Sequence, residues 1–385
     1  MVRLSRQLCN PHGYEQTKIA EEAFRPFSIS SVTDQAGRAF TVSERCTAFL
    51  HFAVLRGFSR EGCHAGRALV VAPLAGAYPV LLRDLVVALL SGLGEVAITD
   101  WADARYVPVS HGVLGLAENI SHIEQMIRTL GPPLHLVAVC QGVVPALAAT
   151  ALLSARGEVA APLSLTLIGG AVDPVANPSH VVRLLRRRSL GWFRRNVIDR
   201  VDDTYPGRGR RIYSRRHQLE TLSAYALRHI LRMRELFWKL LIDDGEDPIR
   251  FPFASLCWSL MDIPAELLLD TVREVFHRAS ITKGELSVDG RNIDLRAIEH
   301  IGLATIEGED DDISPVGQTS AAHALCSAVP ERMRRRLVVE GSGHFSLFHG
   351  RIARETVAPA ILELIGHVQS LKRSALGAPR VQHSS

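Results

Sequence analysis

The residues best placed to do chemistry are a cysteine, an acidic turn and a histidine, met in that order along the chain. Cys140 lies in Ala138-Val-Cys-Gln-Gly142, a nucleophile between small residues at its second neighbours on both sides. That spacing suits a sharp strand-to-helix turn, where the strained backbone brings strand and helix too close for larger side chains. A thiol there would feel the positive end of the following helix, which favours thiolate. A cysteine nucleophile needs a base, and the base needs an orienting group. His344 in Gly341-Ser-Gly-His-Phe345 is the candidate base, because glycines let a loop carry an imidazole over a sheet edge. The candidate acid lies in Glu307-Gly-Glu-Asp-Asp-Asp-Ile-Ser-Pro315. Counting three residues from Gly308 selects Asp311, with Asp310 and Asp312 as neighbouring alternatives. A lone buried cysteine, a solvated acidic turn or one of 16 histidines would each mean little alone. Their order, each at a predicted strand end, is what carries the reading.

An acyl-transfer site also needs two N–H groups aimed at the developing oxyanion. Gln141 N–H, directly after the nucleophile, is one; Leu74 or Ala75, in Ala72-Pro-Leu-Ala-Gly-Ala77, supplies the other.

The elements that must position these residues follow from apolar periodicity. Leu134–Val139 reads as a strand buried on both faces, followed by a helix over Ala146–Ser154 that ends before Gly157. Short strands at Ala68–Ala72, Glu95–Asp100 and Leu163–Ile168 alternate with helices at Tyr78–Leu90 and Leu114–Leu130. Such alternation implies βαβ crossovers and a mostly parallel sheet. Ahead of it, Phe27–Val32 and Arg38–Thr41 flank a turn, and Ala48–Leu55 reads as a further strand. The pattern resumes with a strand at Gly302–Glu307, a helix at Thr319–Ala328, a strand at Arg336–Glu340 and a helix over Ile352–Ser370. Between the two blocks, helical stretches at His217–Asp243 and Ala265–Arg278 accompany Trp192, Trp238 and Trp258. The expected organisation is a lead-in at 1–25, an α/β core from 26–170 and 296–370, a helical cap at 171–295 and a tail at 371–385. A cap of that size belongs over the carboxyl edge of the sheet, where open α/β sheets bind ligands.

Composition narrows the classes. The chain has 385 residues, 47% hydrophobic and 22% charged, with net charge +4, as in an ordinary globular protein. The dense basic run Arg183-Leu-Leu-Arg-Arg-Arg188, with Arg194 and Arg195, reads as a solvated helix face rather than a nucleic-acid site. Six cysteines at 9, 46, 63, 140, 257 and 326 form no CxxC pair and no metal-ligand spacing, so free thiols, a reducing compartment and no metal are expected. No signal peptide or membrane-spanning apolar run is visible, which places the expected location in the cytoplasm.

Nucleophile, acid and histidine in that order is the arrangement of α/β-hydrolases, and the chain resembles one branch of them, the intracellular polyhydroxybutyrate depolymerases with a cysteine nucleophile. The resemblance runs over most of residues 67–365. It rests on Val70-Val-Ala-Pro-Leu-Ala-Gly76 with Leu81-Leu-Arg-Asp84, Thr99-Asp-Trp-Ala-Asp-Ala-Arg105 with Val107-Pro108, and His135-Leu-Val-Ala-Val-Cys-Gln141. Further segments are Gly169-Gly170, Tyr205-Pro-Gly-Arg-Gly-Arg-Arg-Ile-Tyr213, Asp262-Ile-Pro-Ala-Glu266, Glu307–Ser314 with Gly317-Gln-Thr319, and Gly343-His344. It implies an α/β-hydrolase fold with a large, mainly helical cap, and a triad of Cys140, Asp311 and His344. The implied reaction is ester cleavage in a short-chain polyhydroxyalkanoate at the granule surface, without a cofactor unless coenzyme A replaces water as acyl acceptor. The chain differs from the family pattern at Ala75 and Ala77, in place of Ser and His. It also has Gly142 in place of Pro, and Phe345-Ser346 in place of Tyr-Gly. A polyester synthase, which shares the triad and fold, and a noncatalytic granule protein are the alternatives.

Overall fold

The computed structural model describes residues 27–34, 36–63, 66–74, 79–233 and 260–377. Its centre is a nine-stranded sheet with the order β1-β2-β3-β5-β4-β6-β7-β13-β14. In chain order the first strands are β1 Ser31–Thr33, β2 Ala39–Leu50, β3 Ala53–Arg60, β4 Arg67–Val71, β5 Glu95–Trp101, β6 His135–Val139 and β7 Ser164–Ile168. Two small antiparallel sheets follow, β8 Ile198–Arg200 with β9 Arg211–Tyr213 and β10 Ile263–Pro264, then β11 Ser287–Val288 with β12 Arg291–Asn292. β13 Gly302–Gly308 and β14 Arg334–Val339 complete the large sheet. From β5 to β14 every pairing is parallel, while β1, β2 and β3 join antiparallel at the edge.

All five residues of β6 and of β7 are buried, which requires cover on both faces of the sheet. The cover comes from α1 Arg83–Leu90, α2 Leu116–Leu130 and α3 Val143–Ala155, together with the long C-terminal helix. Between β7 and β13 lie α4 His180–Arg187, α5 Leu190–Asn196, α6 Arg215–Met233 and α7 Ala265–Asp270; α8, Ala358–Gly377, closes the chain's described part. α2 packs on α3, and α1 on α8. α3 carries Pro145 in its first turn, where no intrahelical N–H is needed. The outer strand β14 exposes Arg335 and Arg336, charges that discourage a further strand from adding to that edge.

Several elements differ from expectation. The strand expected at Ala48–Leu55 is broken at His51–Phe52, where a turn joins β2 to β3. Polar Arg56 and Arg60 hid β3 in the sequence: Arg56 is wholly buried, paired with Glu44 at 2.5 Å and with Asp100, and lies over the Phe27 ring. The helix expected at Thr319–Ala328 shrinks to Ala322–Leu325. Its carbonyls are taken elsewhere, since the Arg334 guanidinium donates to the carbonyl oxygens of His323, Cys326, Ser327 and Val329. Ala265–Arg278 begins as α7 and widens to π winding over Thr271–His277. The last helix runs past Ser370 to Gly377. The second half of the expected helix at His217–Asp243, with Trp238 and Trp258, lies outside the described residues.

Candidate active site

The sheet order reverses at β4, which has β5 on one side and β6 on the other. Loops leaving β4 and β6 at their carboxyl ends therefore part from each other and open a crevice. Cys140 directly follows β6 and has φ +52°, a left-handed conformation costing a non-glycine residue about 1–3 kcal/mol. Neighbouring glycines make the turn feasible. A Cβ on Gly142 would lie 2.8 Å from the Val71 carbonyl oxygen, and one on Gly170 would overlap Val143. Glycine at 142 avoids that contact with the Val71 carbonyl.

The sequence-selected acid and base meet the cysteine. His344 Nδ1–H donates to Asp311 Oδ2 at 2.7 Å, and His344 Nε2 lies 3.2 Å from Cys140 Sγ. Asp311 Oδ1 accepts from the backbone N–H groups of Ile313 at 2.9 Å and Ser314 at 2.7 Å, so the carboxylate is fixed from behind. Asp310 is exposed and Asp312 half-buried, whereas Asp311 is buried and reaches the imidazole. The loops carrying acid and base are laced together: Asp310 N–H donates to Ser342 O at 3.0 Å, and Gly341 N–H to Glu309 Oε2 at 2.9 Å. Gly169, φ +55°, leaves room for the ring, since a Cβ there would sit 3.3 Å from His344 Cε1. The rings of Phe345 and Phe348 meet the imidazole edge-on, with centroids at 5.3 and 5.6 Å. Ser346 ties the His344 turn through hydrogen bonds to Gly343 O and Ser342 Oγ.

Burial disfavours charge on His344, but the Asp311 carboxylate and the Cys140 sulfur outweigh it and hold its pKa well above the ordinary 6.5. An imidazole so placed can keep a proton beside the sulfur and pass it on.

The oxyanion side is less simple than its sequence suggested. Gln141 follows Cys140, and its side-chain Oε1 accepts the Leu74 N–H at 3.1 Å, so the Leu74 donor is engaged by the protein itself. Ala75 lies outside the described residues. Two residues that sequence reasoning gave no role hold this loop. Ala72 N–H donates to Thr99 Oγ1 and Trp101 Nε1–H donates to Ala72 O, both at 2.9 Å. Both are buried at the end of β5, and the Thr99-Asp-Trp101 segment of the resemblance was their only signal. Glu307 is a third: buried at the end of β13, its Oε1 accepts from Gly317, Thr319 and Ser320 N–H groups at 3.0, 2.7 and 3.0 Å.

Comparison with known families matches residues 169–369, more than half of the chain, to the model described as PHB de-polymerase C-terminus. The chain belongs to the PHB depolymerase family. The matched segment holds Asp311 and His344, while Cys140 lies ahead of it. Membership agrees with the α/β-hydrolase architecture of the sheet and the order of its loops. No curated protein sequence matches. Similar solved structures include a monoacylglycerol lipase of Paleococcus ferrophilus, 16% identical, covering 82% of this chain and 99% of the lipase, with TM-score 0.48. Another is a hydrolase from Pseudomonas aeruginosa PA01, 12% identical over 84% of this chain and 98% of its own, with TM-score 0.49. A thermophilic esterase from Thermogutta terrifontis is 14% identical over 88% and 98%, with TM-score 0.45. Similarities at this level carry no inference about chemistry. Among the described residues no helix is long and apolar enough to cross a membrane.

Proposed function

We propose that this member of the family cleaves ester bonds of a short-chain polyhydroxyalkanoate, such as poly(3-hydroxybutyrate), through Cys140, His344 and Asp311. The observation that carries the reading is the pair of contacts made by one imidazole, 2.7 Å to a buried carboxylate and 3.2 Å to a sulfur on a left-handed turn. Cys140 thiolate adds to the ester carbonyl, and the electron pair of the C=O bond moves to oxygen. As the tetrahedral species collapses, His344 Nε2–H protonates the departing alkoxide, leaving an acyl thioester on Cys140. His344 then takes a proton from water, the hydroxide displaces the thiolate, and the hydroxy acid leaves. Coenzyme A thiol in place of water would give the acyl-CoA instead. Gln141 N–H and Leu74 N–H are the oxyanion donors in this scheme, the latter once the ester oxygen displaces Gln141 Oε1; Ala75 is the alternative to Leu74. The segment 171–295 acts as a cap over the carboxyl edge, and the natural substrate is polymer held in cytoplasmic granules.

The test is release of 3-hydroxybutyrate from amorphous polyhydroxybutyrate by wild type and Cys140→Ala, with and without coenzyme A. Release that vanishes in the variant supports the reading, and its dependence on coenzyme A names the acceptor. Equal release from both would overturn it.

A further inference from the structure

α4 and α5 carry the densest charge in the chain. Arg183, Arg186, Arg187, Arg188, Arg194 and Arg195 follow one another closely, and no acidic residue occurs from 174 to 198. Their combined charge exceeds the net +4 of the whole chain, so the remainder is slightly acidic. All six are exposed, and among the described residues none pairs with a carboxylate. Arg183 donates to Pro178 O at 2.7 Å and Arg186 to Phe276 O, which leaves Arg187, Arg194 and Arg195 to water.

Helix ends explain only part of this. A basic residue in the last turn complements the helix dipole, which suits Arg186, Arg187, Arg194 and Arg195. It gives no reason for Arg183, one turn before Arg187 on the same face, where like charges repel. Nor does it explain Leu184, 48% exposed on that outer face. α4 turns Val182 inward, and Leu185 packs against a cluster of Phe193, Leu269 and Val272. Trp192 on α5 is half-buried, with the Arg188 guanidinium 4.8 Å from its ring centre. An arginine-rich face that also shows a leucine and part of an indole has the composition of helices that lie on lipid headgroups.

We propose that the outer face of α4 and α5 binds an anionic phospholipid surface, its arginines on lipid phosphates and Leu184 among the headgroups. The planar guanidinium suits phosphate oxygens, which it can meet with two parallel hydrogen bonds. Each basic side chain brought to an anionic surface strengthens binding about fivefold, so three together give about 10²-fold. A polyester carries no charge to meet six guanidinium groups. A nucleic acid would leave Leu184 without a use, and Arg188 already covers the Trp192 face on which a base would stack. Attachment of this kind is peripheral and needs no spanning helix. The face is joined firmly to the body, since His277 Nε2–H donates to Leu185 O at 2.9 Å. α7, whose Leu269 belongs to the same cluster, sets Leu267 beside Gln141 and Gly142. One element therefore separates the bound surface from the turn that carries Cys140. The inference is independent of the reaction assigned to that cysteine.

The deciding experiment is sedimentation of the full chain with vesicles, of phosphatidylcholine alone or mixed equally with phosphatidylglycerol. Wild type should bind the mixed vesicles and not the neutral ones, and should lose most of that binding as salt is raised to about 1 M. Joint Arg187→Gln, Arg194→Gln and Arg195→Gln should weaken binding about 10²-fold, with the denaturation midpoint near that of wild type. Joint Arg187→Lys, Arg194→Lys and Arg195→Lys keeps the charge and should stay within about tenfold of wild type. Leu184→Asn should weaken binding several-fold with its salt dependence unchanged. Equal binding to both kinds of vesicle, or binding to neither, would overturn the proposal, as would equal losses in the lysine and glutamine variants. A single-stranded RNA oligonucleotide bound more tightly than mixed vesicles, with Leu184→Asn without effect, would make the face a nucleic-acid site instead. Retention on lipid-free polyhydroxybutyrate particles, lost in the glutamine variant while vesicles are ignored, would assign it to polymer and equally end the proposal.

Discussion

His344 decides in which protonation state the site rests. Its ring is buried, which by itself would strip the proton, yet the Asp311 carboxylate and the Cys140 sulfur together raise the pKa well above 6.5. A raised histidine keeps its proton until pH climbs through the folded-state value. Activity that needs the Nε2–H as acid therefore persists to alkaline pH and declines above it. Asp311→Asn preserves the acceptor for the Ile313 and Ser314 N–H groups but removes the foremost favourable charge. Burial then prevails, the imidazole loses its proton at lower pH, and the alkaline limb of the pH–rate profile should move down with kcat lower by about 10²-fold or more. An alkaline limb that stays in place in Asp311→Asn would show that another group sets it. The same carboxylate also stabilises the fold through its histidine partner. That contribution is complete below pH 6.5, where the unfolded imidazole is charged too, and fades as pH rises through the raised value.

Two elements hold the loops beside those residues, and each can be weakened without touching Cys140, Asp311 or His344. Trp101→Phe keeps a ring at the end of β5 but leaves the Ala72 carbonyl without its indole donor, and Thr99→Val removes the acceptor for Ala72 N–H. One neutral hydrogen bond is worth about 1 kcal/mol, and an orphaned buried partner costs about 1–3 kcal/mol. Each change should lower kcat several-fold with KM nearly constant if Leu74, two residues on, is the oxyanion donor proposed above; steady-state kinetics on a small ester measures the split. A change confined to KM would place the clamp's influence in substrate binding instead. At the end of β13, Glu307→Ala would release three backbone N–H groups at once. Hydrogen bonds to a charged group contribute about 1.5–3 kcal/mol each, not additively. The denaturant midpoint should therefore fall by the equivalent of at least about 2 kcal/mol, and Glu307→Gln, which keeps a carbonyl oxygen, should recover most of it. A midpoint in Glu307→Ala matching wild type would mean the loop is held by other contacts.

Across the whole molecule, what was legible in the sequence is what local pattern encodes. β6, the small residues around Cys140, and the strand-end positions of Asp311 and His344 follow from periodicity and spacing, because a buried parallel strand and a tight turn each constrain their own residues. What escaped notice depends on partners far along the chain. β3 is a strand because Glu44 and Asp100 neutralise Arg56; 319–328 is mostly not helical because Arg334 and Glu307 claim its backbone. Engagement of Leu74 N–H by Gln141 is likewise a contact between residues 67 positions apart. The same holds for the long segment between β7 and β13, whose Tyr205–Tyr213 and Asp262–Glu266 motifs gave no local clue to their use. In the fold they fasten that segment to the chain leaving β5. Gly207 N–H donates to Arg105 O at 2.8 Å, and a Cβ at 207 would crowd the carbonyls of Ala104, Arg105 and Val107. Arg105 in turn pairs with Asp103 and Asp262, each at 3.1 Å. Buried Arg210 spreads its guanidinium over three carbonyls, donating to Val107 O at 3.2 Å and to Gly112 O and Pro108 O at 2.7 Å, with the Phe52 ring 4.9 Å away. A planar fork is needed to reach all three, so lysine is not an equivalent residue. Arg210→Lys should leave carbonyls unmet, loosen residues 201–214 and 260–266 together, and raise hydrogen exchange in both while β6 and β7 stay protected. Because α7 leaves the second of these segments and brings Leu267 beside Gln141 and Gly142, ester hydrolysis should fall in parallel with that loosening. Exchange that rises in only one of the two segments would show that they are fastened independently.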